Sequence, residues 1–169
     1  AYRRQYNLSS IYLLPVNLYG PGDDFDPKTS HVIPAIIRKV DSAIENDLSS
    51  ITAWGTGDPT REFLHVDDAA EAIVEATRLY DDPRPVNIGA SGEISIRELV
   101  NMIADLMGFN GKINWDTSRP DGQPRRKVDT SRAEEMFGWT ADIGFKSGLK
   151  ETIEWYFNNK REIVTSTAQ

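Results

Sequence analysis

Two short apolar runs constrain this chain most. Residues 10–16 (SIYLLPV) and 85–89 (PVNIG) are the segments that read as central β-strands. Amphipathic helical segments lie between and after them, and strands that alternate with helices define an α/β chain with a parallel sheet. Parallel strands are normally covered on both faces. A lone pair of central strands leaves open edges and a bare sheet face. The sheet accounting therefore predicts part of a larger parallel sheet, although 169 residues suit one domain with a real core.

The remaining elements follow from local chemistry. Residues 1–7 have helix-like content. Residues 17–28 (NLYGPGDDFDPK) are rich in Gly, Pro and Asp and read as a loop. A helix follows, with Ser30 as expected N-cap, Pro34 in the first turn, and Ile33, Ile36, Ile37, Val40 and Ile44 at helical spacing. Residues 51–54 and 61–66 read as strands on either side of the turn GTGDP. Asp67 and Asp68 are expected to cap the next helix, because carboxylates meet its orphan N–H groups, with Ala70, Ile73, Val74 and Ala76 inside. Ser95 and Glu98 form a capping box ahead of Leu99, Ile103, Leu106 and Met107, and Gly108 ends that helix. Residues 112–115 read as a strand, 116–127 as an irregular basic loop, 130–137 and 145–157 as helices, and 165–169 as a frayed tail.

Composition enters by exclusion. Among 169 residues there is no Cys, which excludes a disulfide scaffold, a Cys-based zinc site and a Cys nucleophile within them. With two His, a multi-His metal site is not supported. No apolar run approaches a membrane span, and no signal-peptide pattern opens the chain, so a cytoplasmic protein without membrane partners is expected. The net charge is −7. Against that background residues 119–127 hold Arg119, Arg125, Arg126 and Lys127 with one acid, Asp121. Such a field reversal suits a nucleotide diphosphate as well as it suits an ordinary mobile surface loop. Nucleic acid is not the expected partner, since the island is small and no nucleic-acid motif accompanies it.

Other residues carry two readings on their own. His31 is an exposed helix-start side chain or an acid/base group whose cationic form the helix terminus disfavours. Asn17, Leu18 and Tyr19 form a turn or lie beyond the carboxyl end of a strand, where doubly wound sheets bind ligands. Arg38 and Lys39 are a solvated pair or a charged site wall. Trp54 is core, or a flat wall beside Arg61. His65 reads as structural. Tyr156-x-x-x-Lys160 has a catalytic spacing but sits on an amphipathic helix, and reads as a decoy.

The strings LPVNLYGPGDDFDPKTSHVIPAIIRKV, AWGTGDPTREFLHVDDAAEA, NIGASGEISIRELV and RPDGQPRRKVDTSRA resemble the C-terminal half of extended short-chain dehydrogenase/reductases, the NAD-dependent epimerase/dehydratase family. SHVIP and PDGQPR narrow the resemblance to the GDP-L-fucose synthase group. The fold implied is the C-terminal part of a Rossmann-type NAD(P)-binding unit, with residues 8–20 and 67–90 belonging to it, plus a small α/β substrate-binding domain. The activity implied for the intact protein is conversion of GDP-4-keto-6-deoxy-D-mannose to GDP-L-fucose with NADPH.

The resemblance makes His31 the acid/base of epimerisation, close to the nicotinamide. It sets Asn17, Leu18 and Tyr19 against NADP, mainly through backbone groups. It places Lys39, Trp54, Arg61, Asp121 and Arg126 around the GDP-sugar. Lys39 stands where better-known relatives carry Arg, and a Lys lacks the planar fork for bidentate phosphate contact. The family's Gly-rich turn, reducing Tyr/Lys pair and epimerising Cys do not occur in these residues, so they are expected to be inactive alone. Homo-oligomers are expected from family habit and from the open sheet. The alternatives are a GDP-mannose 4,6-dehydratase, a UDP-sugar epimerase, or a non-catalytic nucleotide-sugar module.

Overall fold

The computed structural model describes residues 2–90 and 92–166, with side chains as far as Ile163. In chain order the elements are α1 (Tyr2–Tyr6), β1 (Leu13–Pro15), β2 (Asn17–Tyr19), α2 (Val32–Glu45), β3 (Ser50–Trp54), β4 (Thr60–Arg61) and β5 (Phe63–His65). They continue with α3 (Val66–Leu79), β6 (Val86–Ile88), β7 (Ile94–Ser95), α4 (Ile96–Leu106), β8 (Lys112–Asp116), β9 (Arg125–Arg126), α5 (Ser131–Phe137) and α6 (Phe145–Ser166).

The strands form short parallel pairs, and the α/β class holds. β1 runs parallel to β6, in register Leu13–Val86 to Pro15–Ile88. β2 runs parallel to β5, and β3 to β8. A fourth sheet, in order β7-β4-β9, joins β4 antiparallel to β7 and parallel to β9. The two runs that open the sequence reading are thus neighbours in space. Their edges are bare, as expected for two strands without a full sheet: Leu14 is exposed, so the expectation of a buried strand over 10–16 does not hold.

Two apolar clusters carry the fold. The larger joins Ile33, Ile37 and Val40 of α2, Leu99 and Ile103 of α4, and Leu149, Ile153 and Tyr156 of α6. Each fully buried aliphatic side chain of this kind contributes roughly 1.5–3 kcal/mol. The second gathers Leu64, Ala72, Ala76, Val86, Ile88, Ala133, Phe137 and Trp139 around β5, β6, α3 and α5. Tyr156 and Lys160 prove structural. The Tyr156 hydroxyl donates to the buried Asp41 carboxylate at 2.6 Å, and Lys160 bridges Asp41 and Glu45, latching α6 onto α2. Burial opposes the Lys160 charge, but its hydrogen bonds to the two carboxylates outweigh that and raise its pKa.

Several local expectations change. His31, not Ser30, is the N-cap of α2, and it makes no side-chain cap bond. The Ser30 Oγ, buried, has no hydrogen-bond partner among the described residues, and its N–H donates to the Asp26 carbonyl. Ile44 points to solvent. Residues 17–19, expected in a loop, form β2, because β5 offers them a ladder. The strand expected over 61–66 breaks into β4 and β5 at Glu62, since each half pairs with a different partner. α3 buries Ala69, Ala72 and Ala76 and leaves Ile73 and Val74 half exposed. Its N-cap is His65, whose Nδ1 accepts from Asp67 N–H at 3.4 Å; Asp67 and Asp68 lie in the first turn. The basic loop contains β9, and α6 runs on through residues expected to fray. Residues 167–169 of the expected tail lie outside the described residues. The capping box of α4 forms as predicted, with Ser95 Oγ accepting from Glu98 N–H and the Glu98 carboxylate from Ser95 N–H.

Candidate functional site

The site grows from the turn after β3. Gly55 and Gly57 sit at φ +80° and +82°, where side-chain-bearing residues are strained. A Cβ on Gly57 would also strike the Trp115 ring. The turn lifts Trp54 out of the core: it is 63% exposed, so the reading of it as core does not hold. Two cations flank its ring. Lys39 Nζ lies 5.1 Å from the ring centroid and donates to the Thr52 carbonyl at 3.1 Å; the Arg119 guanidinium lies 5.2 Å away. Burial pushes the Lys39 ammonium below its usual pKa.

The basic loop is strapped across this turn. Asp121 accepts from Thr56 N–H at 2.6 Å through one carboxylate oxygen and from Thr56 Oγ1 at 2.9 Å through the other. Arg61 Nη1 donates to the Gln123 and Thr60 carbonyls, both at 2.7 Å. The Thr60 N–H bonds Pro124 O at 3.0 Å. Arg125 forks onto Glu93, so its charge is locally answered, and Asp116 lies 3.8 Å from Arg119. Arg126 is exposed and makes no ion pair among the described residues. It is the register partner of Arg61 in the β4–β9 ladder, and register partners project their side chains from the same face.

Lys39 and Arg119 therefore meet at the Trp54 ring, and Arg61 and Arg126 pair in the β4–β9 ladder. Asp121 is a pin, with both oxygens engaged by Thr56. That engagement is a loop-holding job the sequence does not reveal. His31 and the segment Asn17–Tyr19 stand apart: no hydrogen bond joins them to each other or to the loop among the described residues. His31 is exposed, and Asp23 and Asp24 are close enough to feel its charge. Asn17 Nδ2 donates to the Glu62 carbonyl at 2.8 Å, and Leu18 is exposed. Tyr19 is buried edge-on against His65 and donates to Phe145 O at 3.3 Å; burial, helped by Asp68 and Glu151, drives its hydroxyl pKa far up. Its side chain serves the core.

A cleft of about 810 Å³ adjoins this site, sharing Arg61 and Glu93 with it and lined also by Tyr19. Phe63, Phe145, Met102 and Leu106 give it apolar walls. Its charged lining is mainly acidic: Asp68, Glu93, Glu98, Asp105 and Asp142 against Arg61 and Lys146. That field repels a diphosphate, so size is a poor guide here and charge a better one. Two residues escaped sequence reasoning. Glu93 clamps Arg125 from a small polar loop that carries no signal. Glu62 is fully buried between β4 and β5, and its one signal was a charged side chain inside an otherwise strand-like run.

The model of the NAD dependent epimerase/dehydratase family matches residues 1–89. The chain belongs to this family. Among curated relatives it is 45% identical to the probable GDP-L-fucose synthase 1 of Oryza sativa subsp. japonica, over 94% of this chain and 48% of that protein. It is 38% identical to the GDP-L-fucose synthase of Escherichia coli strain K12, over 95% of this chain and 52% of that protein. Among solved structures, a GDP-L-fucose synthetase from Naegleria fowleri bound to NADP superposes with a TM-score of 0.84 at 29% identity, covering 89% of this chain and 47% of that one. The chain thus spans about half the length of the relatives it matches. Among the described residues no helix is long and apolar enough to cross a membrane.

Proposed function

We propose that this chain is the nucleotide-sugar-binding part of an NADP-dependent enzyme that converts GDP-4-keto-6-deoxy-D-mannose to GDP-L-fucose. The observation that carries the reading is the charge map around the Gly55–Gly57 turn. An acidic chain gathers Lys39 and Arg119 about an exposed Trp54, and pairs Arg61 with Arg126 across a ladder. A flat apolar ring beside several cations is what a base and a diphosphate need, with Arg favoured for forked contact to phosphate oxygens. The names of the relatives supply the sugar.

His31 is the acid/base group of this reading. Protons on carbons next to a ketone are acidic, and inverting such a carbon takes a base on one face and an acid on the other. Exposed at the start of α2, His31 supplies one of them. The second comes from outside these residues, which contain no Cys. The residues present fit the nicotinamide side of NADP. β2 continues the chain past the carboxyl end of β1, and the exposed Leu18 side chain offers an apolar surface there. When bound, NADPH supplies the hydride that reduces C4. Asn17, Leu18 and Tyr19 would hold its ring mainly by backbone groups, the segment itself being held by the Asn17–Glu62 bond. Residues 8–20 and 67–90 form the part that continues the cofactor-binding sheet.

Calorimetry with GDP, UDP and TDP tests this reading. A clear preference for GDP is expected. A UDP preference would move the chain to the UDP-sugar epimerases, and no binding to any of the three would remove the nucleotide site.

A further inference from the structure

Glu62 is out of keeping with its place. It is 1% exposed, and a buried carboxylate is costly unless donors meet its oxygens. Its Oε2 accepts from Val128 N–H at 3.0 Å, and its Oε1 has no partner among the described residues. Oε1 lies over Gly89, where a Cβ would come within 2.5 Å of it. Burial raises the carboxyl pKa and Glu93 adds to the rise, while the Val128 N–H and Lys127 pull it back. The main-chain carbonyl of the same residue holds Asn17. One residue therefore touches three segments: the cofactor-facing β2, the end of β6, and the root of the basic loop.

We propose that Glu62 is a positioning residue, whose carboxylate fixes the root of the basic loop so that Arg126 is held beside Arg61 ready for phosphate. The inference deepens the nucleotide-sugar reading, and rests on it for what the loop binds. Residues 117–127 are all exposed. The Arg125–Glu93 pair and the Asp121–Thr56 pin sit in solvent, and contacts of that kind hold weakly. The Val128–Glu62 bond is anchored on the buried side, two residues from Arg126. A strap held that way presents its cations without an ordering cost at each binding event.

The test uses the whole chain with Glu62→Leu, which fills the space without an acceptor, and Glu62→Gln, which keeps one. Gly89→Ala is a second route, pushing the carboxylate aside with Glu62 intact. Amide exchange at Val128 and across 117–127 is measured with melting temperature and GDP affinity. Glu62→Leu and Gly89→Ala are expected to accelerate exchange in the loop at least tenfold, to leave the β3–β8 ladder alone, and to weaken GDP at least fivefold. Glu62→Gln stays near wild type. A lowered melting temperature with unchanged Val128 exchange and GDP affinity would make Glu62 mere packing and overturn the proposal. If the wild-type chain binds no GDP, the nucleotide reading fails, and loop exchange alone decides: acceleration sustains the positioning role, and none overturns it.

Discussion

At the scale of single residues, the site is a set of cations with unequal freedom. Arg125 is engaged by Glu93, whereas Arg126 makes no ion pair among the described residues. Arg61 does two jobs, holding the Thr60 and Gln123 carbonyls while lying beside Arg126. Arg61→Ala is therefore expected to weaken GDP at least tenfold, and Arg61→Lys to restore little, because a point charge cannot serve two carbonyls and a phosphate together. Calorimetry on the three proteins checks this. Trp54→Ala separates binding from folding: a side chain this exposed costs within about 0.5 kcal/mol of stability when removed, while GDP affinity falls. Equal affinity in wild type and variant would take Trp54 out of the site. Glu62 gives a pH signature. Its folded pKa lies above the unfolded value, so its contribution is fully present below the ordinary Glu range and is lost as pH rises through the folded pKa. Denaturant titrations between pH 4 and about pH 7 should show Glu62→Gln gaining on wild type as pH rises.

At the scale of elements, what was legible followed local rules, and what was missed depended on partners far along the chain. The Ser95–Glu98 box and the α2 stripe are written in neighbouring residues; the box formed, and so did the stripe from Ile33 to Val40, with Ile44 left outside it. Ser95→Ala should cost about 1 kcal/mol in denaturant unfolding. Glu98 is held below its ordinary pKa by its bonds to Ser95, so the box should weaken as pH falls through that lowered value. The buried face of α3 was not legible, because its large apolar residues Ile73 and Val74 stay half exposed; the small face of Ala69, Ala72 and Ala76 packs instead, with Phe137 and Trp139 in the same cluster. Two-residue strands such as β4 and β9 leave no period to read. Asp121, placed at the ligand by resemblance, gave no sign of its bonds to Thr56, sixty-five positions away. The α6 latch is likewise long-range: Asp41→Ala leaves Lys160 and Tyr156 without their shared acceptor and should cost about 2 kcal/mol in the same assay.

At the scale of the whole molecule, the bare edges of β1 and β6 and the exposed Tyr12, Leu14, Leu18, Ile73, Val74 and Leu79 are surface that prefers cover. Light scattering of the isolated chain should show self-association that grows with concentration; a monodisperse monomer at high concentration would count against it. The charge distribution is the stronger global feature. A chain of net charge −7 lines the cleft bounded by Phe63, Phe145 and Met102 mainly with acids and places its clustered cations on a strap beside Trp54. In the proposed function the nucleotide sits at this strap. A GDP titration followed by residue-resolved nuclear magnetic resonance tests it most directly. Saturable shifts are expected at the Trp54 indole and at the Thr56, Gly122 and Arg126 amides, with Met102, Leu106 and Ile143 unmoved. Shifts confined to those three, around the acidic cleft, would contradict it.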